Sequence, residues 1–376
     1  MISAALPAPM RRLRVVILGL SITSSWGNGH ATTYRSLVRA LSQRGHRVLF
    51  LERDTPWYRA NRDAVDLPPG SVQLYHSIEE LRGRWRSALA DADLVIIGSY
   101  VPEGIEVGAF LQSIGSGIVA FYDIDTPVTL ASLAKGGCAY INAELVAGFD
   151  LYLSFTGGRA LQMLERQYGV RAARVLYCSV DPDRHTPIAA EPVWGMGYLG
   201  TYSADRQPAL EELMCGPARR CPKEMFAVAG PLYPGEISWP ANVERIEHVG
   251  PDRHGWFYSR QRFTLNVTRA DMIRMGYSPS VRLFEAAACG VPIISDWWPG
   301  LETIFVPGKH ILLARSSRDV LRYLHEIPDC ERRQIALRAR EHLLARHTAA
   351  HRAIALEGYV DELLGRSEPS RVAAAG

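Results

Sequence analysis

Lysine is almost missing from this sequence of 376 residues: Lys135, Lys223 and Lys309 are the only three among 42 basic residues, which leaves 39 arginines. That ratio has two readings, a coding bias of a GC-rich genome or massed phosphate recognition, so each arginine must be judged by its neighbours. Net charge is scarce as well. A formal +3 is too small to predict nucleic-acid or membrane binding on its own. Paired cysteines are absent: Cys138, Cys178, Cys215, Cys221, Cys289 and Cys330 are scattered with no C-x-x-C. That spacing excludes a zinc ribbon and a small disulfide framework. No apolar run approaches the ~18 residues of a transmembrane helix. The run Val15 to Leu20 behind Arg11, Arg12 and Arg14 imitates a signal peptide. It is short, no small-x-small cleavage site follows it, and the glycine-containing turn behind it suits a buried first strand better. These absences point to a reducing, cytoplasmic protein, with peripheral membrane contact left open.

What is present is an ordinary globular composition, 47% hydrophobic and 22% charged, which excludes a disordered chain. The length predicts two domains. Short β-branched runs at 13–20, 47–51, 94–98, 117–122 and 150–155 alternate with amphipathic stretches such as 32–44. Near-continuous apolar strands between helices indicate parallel sheets covered on both faces, hence an α/β class. The stretch 181–192, DPDRHTPIAAEP, has three prolines and no apolar period, the composition of an interdomain connection. The pattern then restarts, with strands expected at 195–200, 224–229, 262–267, 292–295 and 310–313. Helices are expected at 208–215, 281–289 and 319–325, with a last helical stretch over 331–364 interrupted near 347–348. Small, polar or proline-containing ends predict disorder at 1–10 and 367–376. The boundaries so read are a first domain over 11–185, a second over 186–347 and a helix over 348–366.

Four segments carry residues suited to chemistry. In the first, Ser278-Pro279 is expected to open a helix, whose free N–H groups form an anion site. Ser280 and Arg282 add a hydroxyl and a cation there, and Glu285 could accept hydrogen bonds from vicinal hydroxyls; the bland alternative is a capped helix with a surface glutamate. In the second, Gly200-Thr201-Tyr202-Ser203 follows a strand, with Arg206 close behind. Backbone N–H groups at such a turn can approach a phosphate, or the turn is a plain strand-to-helix connection. In the third, Gly27-Asn28-Gly29-His30 precedes a helix whose positive end disfavours imidazolium. His30 is either a structural residue or a neutral base. In the fourth, Asp123-Ile-Asp125-Thr126-Pro127 ends a strand. It reads as a helix cap, or as a base or acceptor ligand facing a cleft. Gly157 and Gly158 repeat the strand–glycine–helix theme and are candidate donor or acceptor contacts. Trp297-Trp298 either stacks on a ligand or packs between domains. His254, Trp256 and Tyr258 receive no role.

The run E-A-A-A-C-G-V-P at 285–292, followed by I-I-S-D and P-G-L-E, resembles the donor-site signature of the GT-B glycosyltransferases. The runs at 121–127, 152–158 and 198–206 are similar to the CgeB-type subfamily. The resemblance covers about residues 12–360 and implies two Rossmann-like domains facing each other across a cleft, with a C-terminal helix returning to the first. It implies a sugar transferred from a nucleoside diphosphate sugar, UDP or another base, to a hydroxyl acceptor, without a metal or a further cofactor and without nucleic acid. Gly200, Thr201, Tyr202, Arg206, Ser280, Arg282 and Glu285 would hold the donor, with Glu285 on its ribose. Gly27, Asn28 and Gly29 would lie toward sugar and acceptor, with His30, Asp123 or Asp125 as the base. A metal-binding D-x-D, the device of the other large glycosyltransferase fold, is the minor reading of 123–125. The large retaining families carry a second glutamate eight residues before the first matched one; here that residue is Tyr277. The competing readings are a nucleotide-sugar epimerase or hydrolase, or a non-catalytic carbohydrate-binding or assembly protein on the same fold.

Overall fold

The computed structural model describes residues 9, 11–63, 66–115 and 117–366. Apart from position 9, the ends expected to be disordered lie outside the described residues.

Among the described residues, thirteen strands form two sheets. The first contains β1 (Arg14–Gly19), β2 (Arg47–Arg53), β3 (Val72–Tyr75), β4 (Leu94–Gly98), β5 (Ile118–Asp123), β6 (Leu151–Ser154) and β7 (Ala173–Val175). The second contains β8 (Trp194–Leu199), β9 (Phe226–Ala229), β10 (Val243–Ile246), β11 (Gln261–Asn266), β12 (Ile293–Ser295) and β13 (Leu312–Leu313). Their orders are β3-β2-β1-β4-β5-β6-β7 and β10-β9-β8-β11-β12-β13. All these pairings are parallel, so the α/β class read from the buried apolar runs is the observed one. In each half the order reverses beside the first strand, which leaves a crevice at the strands' carboxyl ends.

Three strands escape the sequence pattern: β3, β7 and β10. Each is an edge strand of three or four residues with partly exposed positions, and so has no continuous apolar run to mark it.

Local packing decides how closely the first helix (His30–Gln43) approaches the sheet. Tyr34 is fully buried, its ring 5.1 Å from that of Phe50 and 6.0 Å from that of Tyr122. A Cβ at Gly98 would lie 1.9 Å from the Tyr34 hydroxyl, and one at Gly19 would lie 2.4 Å from the Phe50 ring. The glycines that end β1 and β4 therefore let this helix sit close above them.

The chain passes from one sheet to the other between β7 and β8. Its final helix (Ala349–Arg366) returns to the first domain. Arg44 binds Glu357 through Nε and Nη2, at 2.5 and 2.6 Å. The Leu13 N–H donates to His46 Nδ1, which puts that ring's proton on Nε2, 2.7 Å from Glu357. Arg174 reaches Glu362 at 2.7 Å, and the Tyr359 hydroxyl donates to the Val175 carbonyl. No helix among the described residues is long and apolar enough to cross a membrane, and all six cysteines are free.

Candidate active site

A cavity of about 500 Å³ opens between the two sheets, lined by loops that follow β1, β4, β5 and β6 on one side and β8, β9, β10 and β11 on the other. From the first domain it receives Gly27, Asn28, Gly29, His30, Tyr100 and Asp125; from the second it receives Gly200, Thr201, Tyr202, Arg206, Ser280, Arg282 and Glu285. Segments far apart in sequence thus converge on one space.

On the second domain's wall, β8 ends in the Gly200 turn. The Arg282 guanidinium packs 4.4 Å from the Tyr198 ring centroid, donates to the Leu199 carbonyl and binds Asn266 Oδ1 at 2.8 Å. A side chain at Gly200 would collide with Arg282 Nη2, 2.5 Å from the Cβ position. The Gly230 backbone comes so close to the Gly200 carbonyl that a Cβ there would stand 2.1 Å away. Two glycines hence bring backbone to the cavity wall where bulkier residues would fill it. Arg206 closes the turn, Nη2 donating to the Thr201 carbonyl at 2.5 Å while its buried Nε has no partner.

The helix behind this turn begins two residues later than the expected Ser278-Pro279 start. Ser280 is its N-cap and the helix is Val281–Ala288, with no side-chain cap bond. The Ser280 hydroxyl donates to Asn266 Oδ1 at 2.7 Å instead, which leaves the first N–H groups free for an anion. Ser278 serves another purpose: it is buried and accepts a hydrogen bond from Thr156 of the first domain at 2.9 Å.

Glu285 is not a surface residue. It is buried, with His254 Nδ1 3.4 Å from Oε2 and His185 Nε2 3.7 Å from Oε1. Burial alone would raise its pKa, but His254 and His185 outweigh it and hold the carboxyl well below the usual range. Burial disfavours the charged form of His254, yet Glu285 outweighs that effect and raises its pKa. Among the described residues this trio is the one set of His, Cys, Asp and Glu side chains near enough to share a cation, with ligand atoms within 4.8 Å of one another.

Across the cavity, Asn28 organises the loop. Its Nδ2 donates to the carbonyls of Ser21 and Ser24 at 3.1 and 3.0 Å, and its Oδ1 accepts the His30 N–H at 3.0 Å. His30 is the first residue of its helix. Its Nδ1 is buried without a partner, and the ring lies 5.5 Å from that of Tyr100. Burial lowers its pKa and nearby Asp125 offsets this in part, so the neutral imidazole is favoured at pH 7. Asp125 accepts the Tyr100 hydroxyl at 3.0 Å and faces Arg269 of the second domain at 3.8 Å. It makes no side-chain cap bond to the helix Thr126–Leu133.

Three expected residues do not reach the cavity. Asp123 is fully buried and takes hydrogen bonds from Tyr152, Thr129 and the Asp125 N–H at 2.6, 3.0 and 3.1 Å. Burial pushes its carboxyl up to about 7, and with its oxygens so engaged it anchors the loop instead of facing a substrate. Gly157 and Gly158 lie under Tyr277. Gly157 donates to the Tyr277 carbonyl at 2.9 Å, and a Cβ at Gly158 would stand 2.6 Å from the ring. Trp298 is buried and Trp297 exposed; neither lines the cavity. The sequence reading missed Tyr100, Arg269 and His248, which do line it; no local motif marks them. Tyr100, a non-glycine residue at φ 65°, is held in a sparsely populated conformation of the kind that collects at functional sites.

Residues 206–358 match the family described as glycosyl transferase-like. No curated protein matches the chain in sequence. Among solved structures it is similar to sucrose-phosphate synthase from Thermosynechococcus elongatus, with TM-score 0.68, 15% identity, and 95% of this chain and 100% of that one covered. It is similar to Anabaena HepE in complex with UDP-glucose, with TM-score 0.61, 14% identity, and 94% and 99% covered. An alpha-glucosyltransferase in complex with UDP and DNA gives TM-score 0.71 at 12% identity, with 93% and 100% covered. The fold is that of the GT-B glycosyltransferases.

Proposed function

We propose that the protein transfers a sugar from a nucleoside diphosphate sugar, with UDP as the first nucleotide to test, to a hydroxyl-bearing acceptor, without a metal. The observation that carries this reading is the convergence, in one interdomain cavity, of a free helix N-terminus and two arginines with a buried carboxylate on one wall and a neutral histidine on the other. The diphosphate would lie on the N–H groups of Val281 and its neighbours and on the Gly200 turn, with Arg206 and Arg282 beside it. Glu285 would take the ribose hydroxyls. The acceptor oxygen attacks the sugar's anomeric carbon, the bond to the diphosphate breaks, and the nucleoside diphosphate leaves with the electron pair. The acceptor proton passes to His30. Dipoles and cations fixed where the leaving charge develops are the main source of rate in such a site. UDP-glucose in the HepE structure and UDP in that of the alpha-glucosyltransferase support the nucleotide class.

The test is calorimetry with UDP, followed by UDP-sugars with and without hydroxyl acceptors. Nucleotide binding with acceptor-dependent release of UDP is the expected result. Fast donor breakdown with no acceptor would favour a hydrolase or epimerase. No binding at millimolar UDP, GDP or ADP would remove the enzyme reading.

A further inference from the structure

Glu285 lies where cavity, interdomain connection and second sheet meet, and its two oxygens are treated differently from behind and from the side. His254 belongs to the helix His254–Ser259 and lines the cavity beside Oε2. His185 comes from the connection between the domains, is 2% exposed and does not line the main cavity. It instead borders a small side cavity with Arg35, Arg39 and Arg184. Its Nδ1 is 3.2 Å from the Asp181 carbonyl. A carbonyl only accepts, so Nδ1 donates there and the ring is fixed; Nε2, 3.7 Å from Glu285, attracts the carboxylate when it carries a proton as well, as an imidazolium. Neither His185 Nε2 nor His254 Nδ1 makes a hydrogen bond to Glu285 or to any other group, so both face the carboxylate as ion-pair contacts, at 3.7 and 3.4 Å. Asp181 is itself held by Arg39 of the first domain at 2.7 Å.

We infer that His185 is a positioning residue for nucleotide recognition: with His254 it flanks one carboxylate oxygen each by an ion-pair contact, and so holds Glu285 in the orientation that presents both oxygens to the two vicinal hydroxyls of a ribose. The inference rests on the ribose assignment made above for Glu285. A carboxylate free to rotate can still bind one hydroxyl, but it recognises the pair poorly, because one of the two bonds is made at the expense of the other. A clamped one holds both acceptors at fixed positions and is left with an unsatisfied acceptor when the 2′-hydroxyl is missing. Nothing in the cavity can touch His185, so its effect on selectivity has to pass through Glu285.

The experiment measures UDP and 2′-deoxy-UDP affinities by calorimetry for the full chain with and without chelator, and for His185→Ala, His185→Gln and Glu285→Gln in chelator. The wild type should prefer UDP by at least about tenfold. His185→Ala should cut that preference to about threefold or less while changing 2′-deoxy-UDP affinity less than about twofold, and His185→Gln, whose amide can still donate, should restore part of it. Equal weakening of both nucleotides in His185→Ala, or an unchanged preference, would overturn the clamp. Loss of the wild-type preference on adding chelator would also overturn it, since the trio would then be holding a cation. If the wild type binds neither nucleotide, the functional reading itself fails. If it discriminates and Glu285→Gln discriminates equally, the ribose assignment fails. Should His185→Ala not fold, the His185→Gln comparison decides alone: wild-type protein and variant must differ in the ratio, not only in the affinity.

Discussion

His30 and Glu285 show how one type of environment acts in opposite directions on two side chains. Both lose water. His30 lacks a partner at Nδ1, so burial wins and the ring is kept neutral. Glu285 has two histidines within 4 Å, so their charge wins and the carboxylate is kept ionised. If His30 is the base, His30→Asn should lower the transfer rate by about 10²–10⁴-fold with nucleotide affinity preserved, measured as kcat beside UDP binding. The pH profile follows from the sign of the shift. The base form exists above the His30 pKa, and that pKa is depressed, so kcat/KM should stay level below pH 6.5 and fall only at more acid values. A fall beginning above pH 7 would remove His30 from the role. Glu285→Ala removes hydrogen bonds to a charged group worth about 1.5–3 kcal/mol, hence roughly ten- to hundredfold in UDP affinity, with the fold kept. Unchanged affinity would end the ribose assignment. Asp123 teaches the converse. A carboxylate at the end of a strand can be a buried anchor, and only its donors, Tyr152 and Thr129, distinguish it from a base.

Among the elements, the C-terminal helix is attached both by apolar side chains in the core, Ala353, Leu356, Val360 and Leu363, and by a few named charges. Glu357 receives Arg44 through two bonds and His46 through a third. Burial would raise its pKa, but these donors outweigh it and lower it. A depressed carboxylate pKa stabilises the fold fully above the ordinary glutamate range, and that stabilisation is lost as pH falls through the depressed value. Glu357→Ala should therefore cost about 2–3 kcal/mol, read as a lower chemical-denaturation midpoint at pH 7. The difference from wild type should shrink below pH 4. A constant difference across that range would mean that packing, not charge, accounts for the loss. The helix Val281–Ala288 makes a second point. Its sequence announced a helix start, but the cap lies at Ser280 because Ser278 bonds to Thr156 across the cleft.

At the scale of the molecule, Tyr277 occupies the position where the resemblance led to expect a second glutamate. Its backbone has φ 51°, and its ring fits against Gly158 of the first domain and Gly300 of the second, where added Cβ atoms would come within 2.6 and 2.5 Å. Beside it, Arg159 donates to the Arg274 carbonyl and Thr156 to Ser278, and Arg269 faces Asp125 across the cavity. This seam holds the two walls of the cavity together. Gly158→Val would both strain a φ of 60° and push the Tyr277 ring away. It should lower transfer at least about tenfold, since a small misplacement of reacting groups is costly. UDP affinity should stay within about threefold, because every proposed nucleotide ligand belongs to one domain. Small-angle scattering should show a larger radius of gyration. Equal loss of binding and transfer would contradict that division of labour.

The sequence by itself determined the α/β class, the restart of the pattern after 181–192, and three glycine- or proline-marked turns whose residues do line the cavity. It could do so because buried parallel strands need unbroken apolar runs, and because tight turns and helix starts need particular residue types over a few positions. These are local requirements, written locally. The edge strands β3, β7 and β10 lack such runs and were invisible for that reason. Only the tertiary structure decided that Glu285 is buried between two histidines, that Asp123 is an anchor, and that Gly157 and Gly158 accommodate Tyr277 instead of a ligand. Each of those outcomes depends on groups brought together from distant parts of the chain, and burial, charge and steric fit at such a meeting have no local signature. The scarcity of lysine belongs to the first kind of information; which of the 39 arginines stand at the cavity, Arg206, Arg269 and Arg282, belongs to the second.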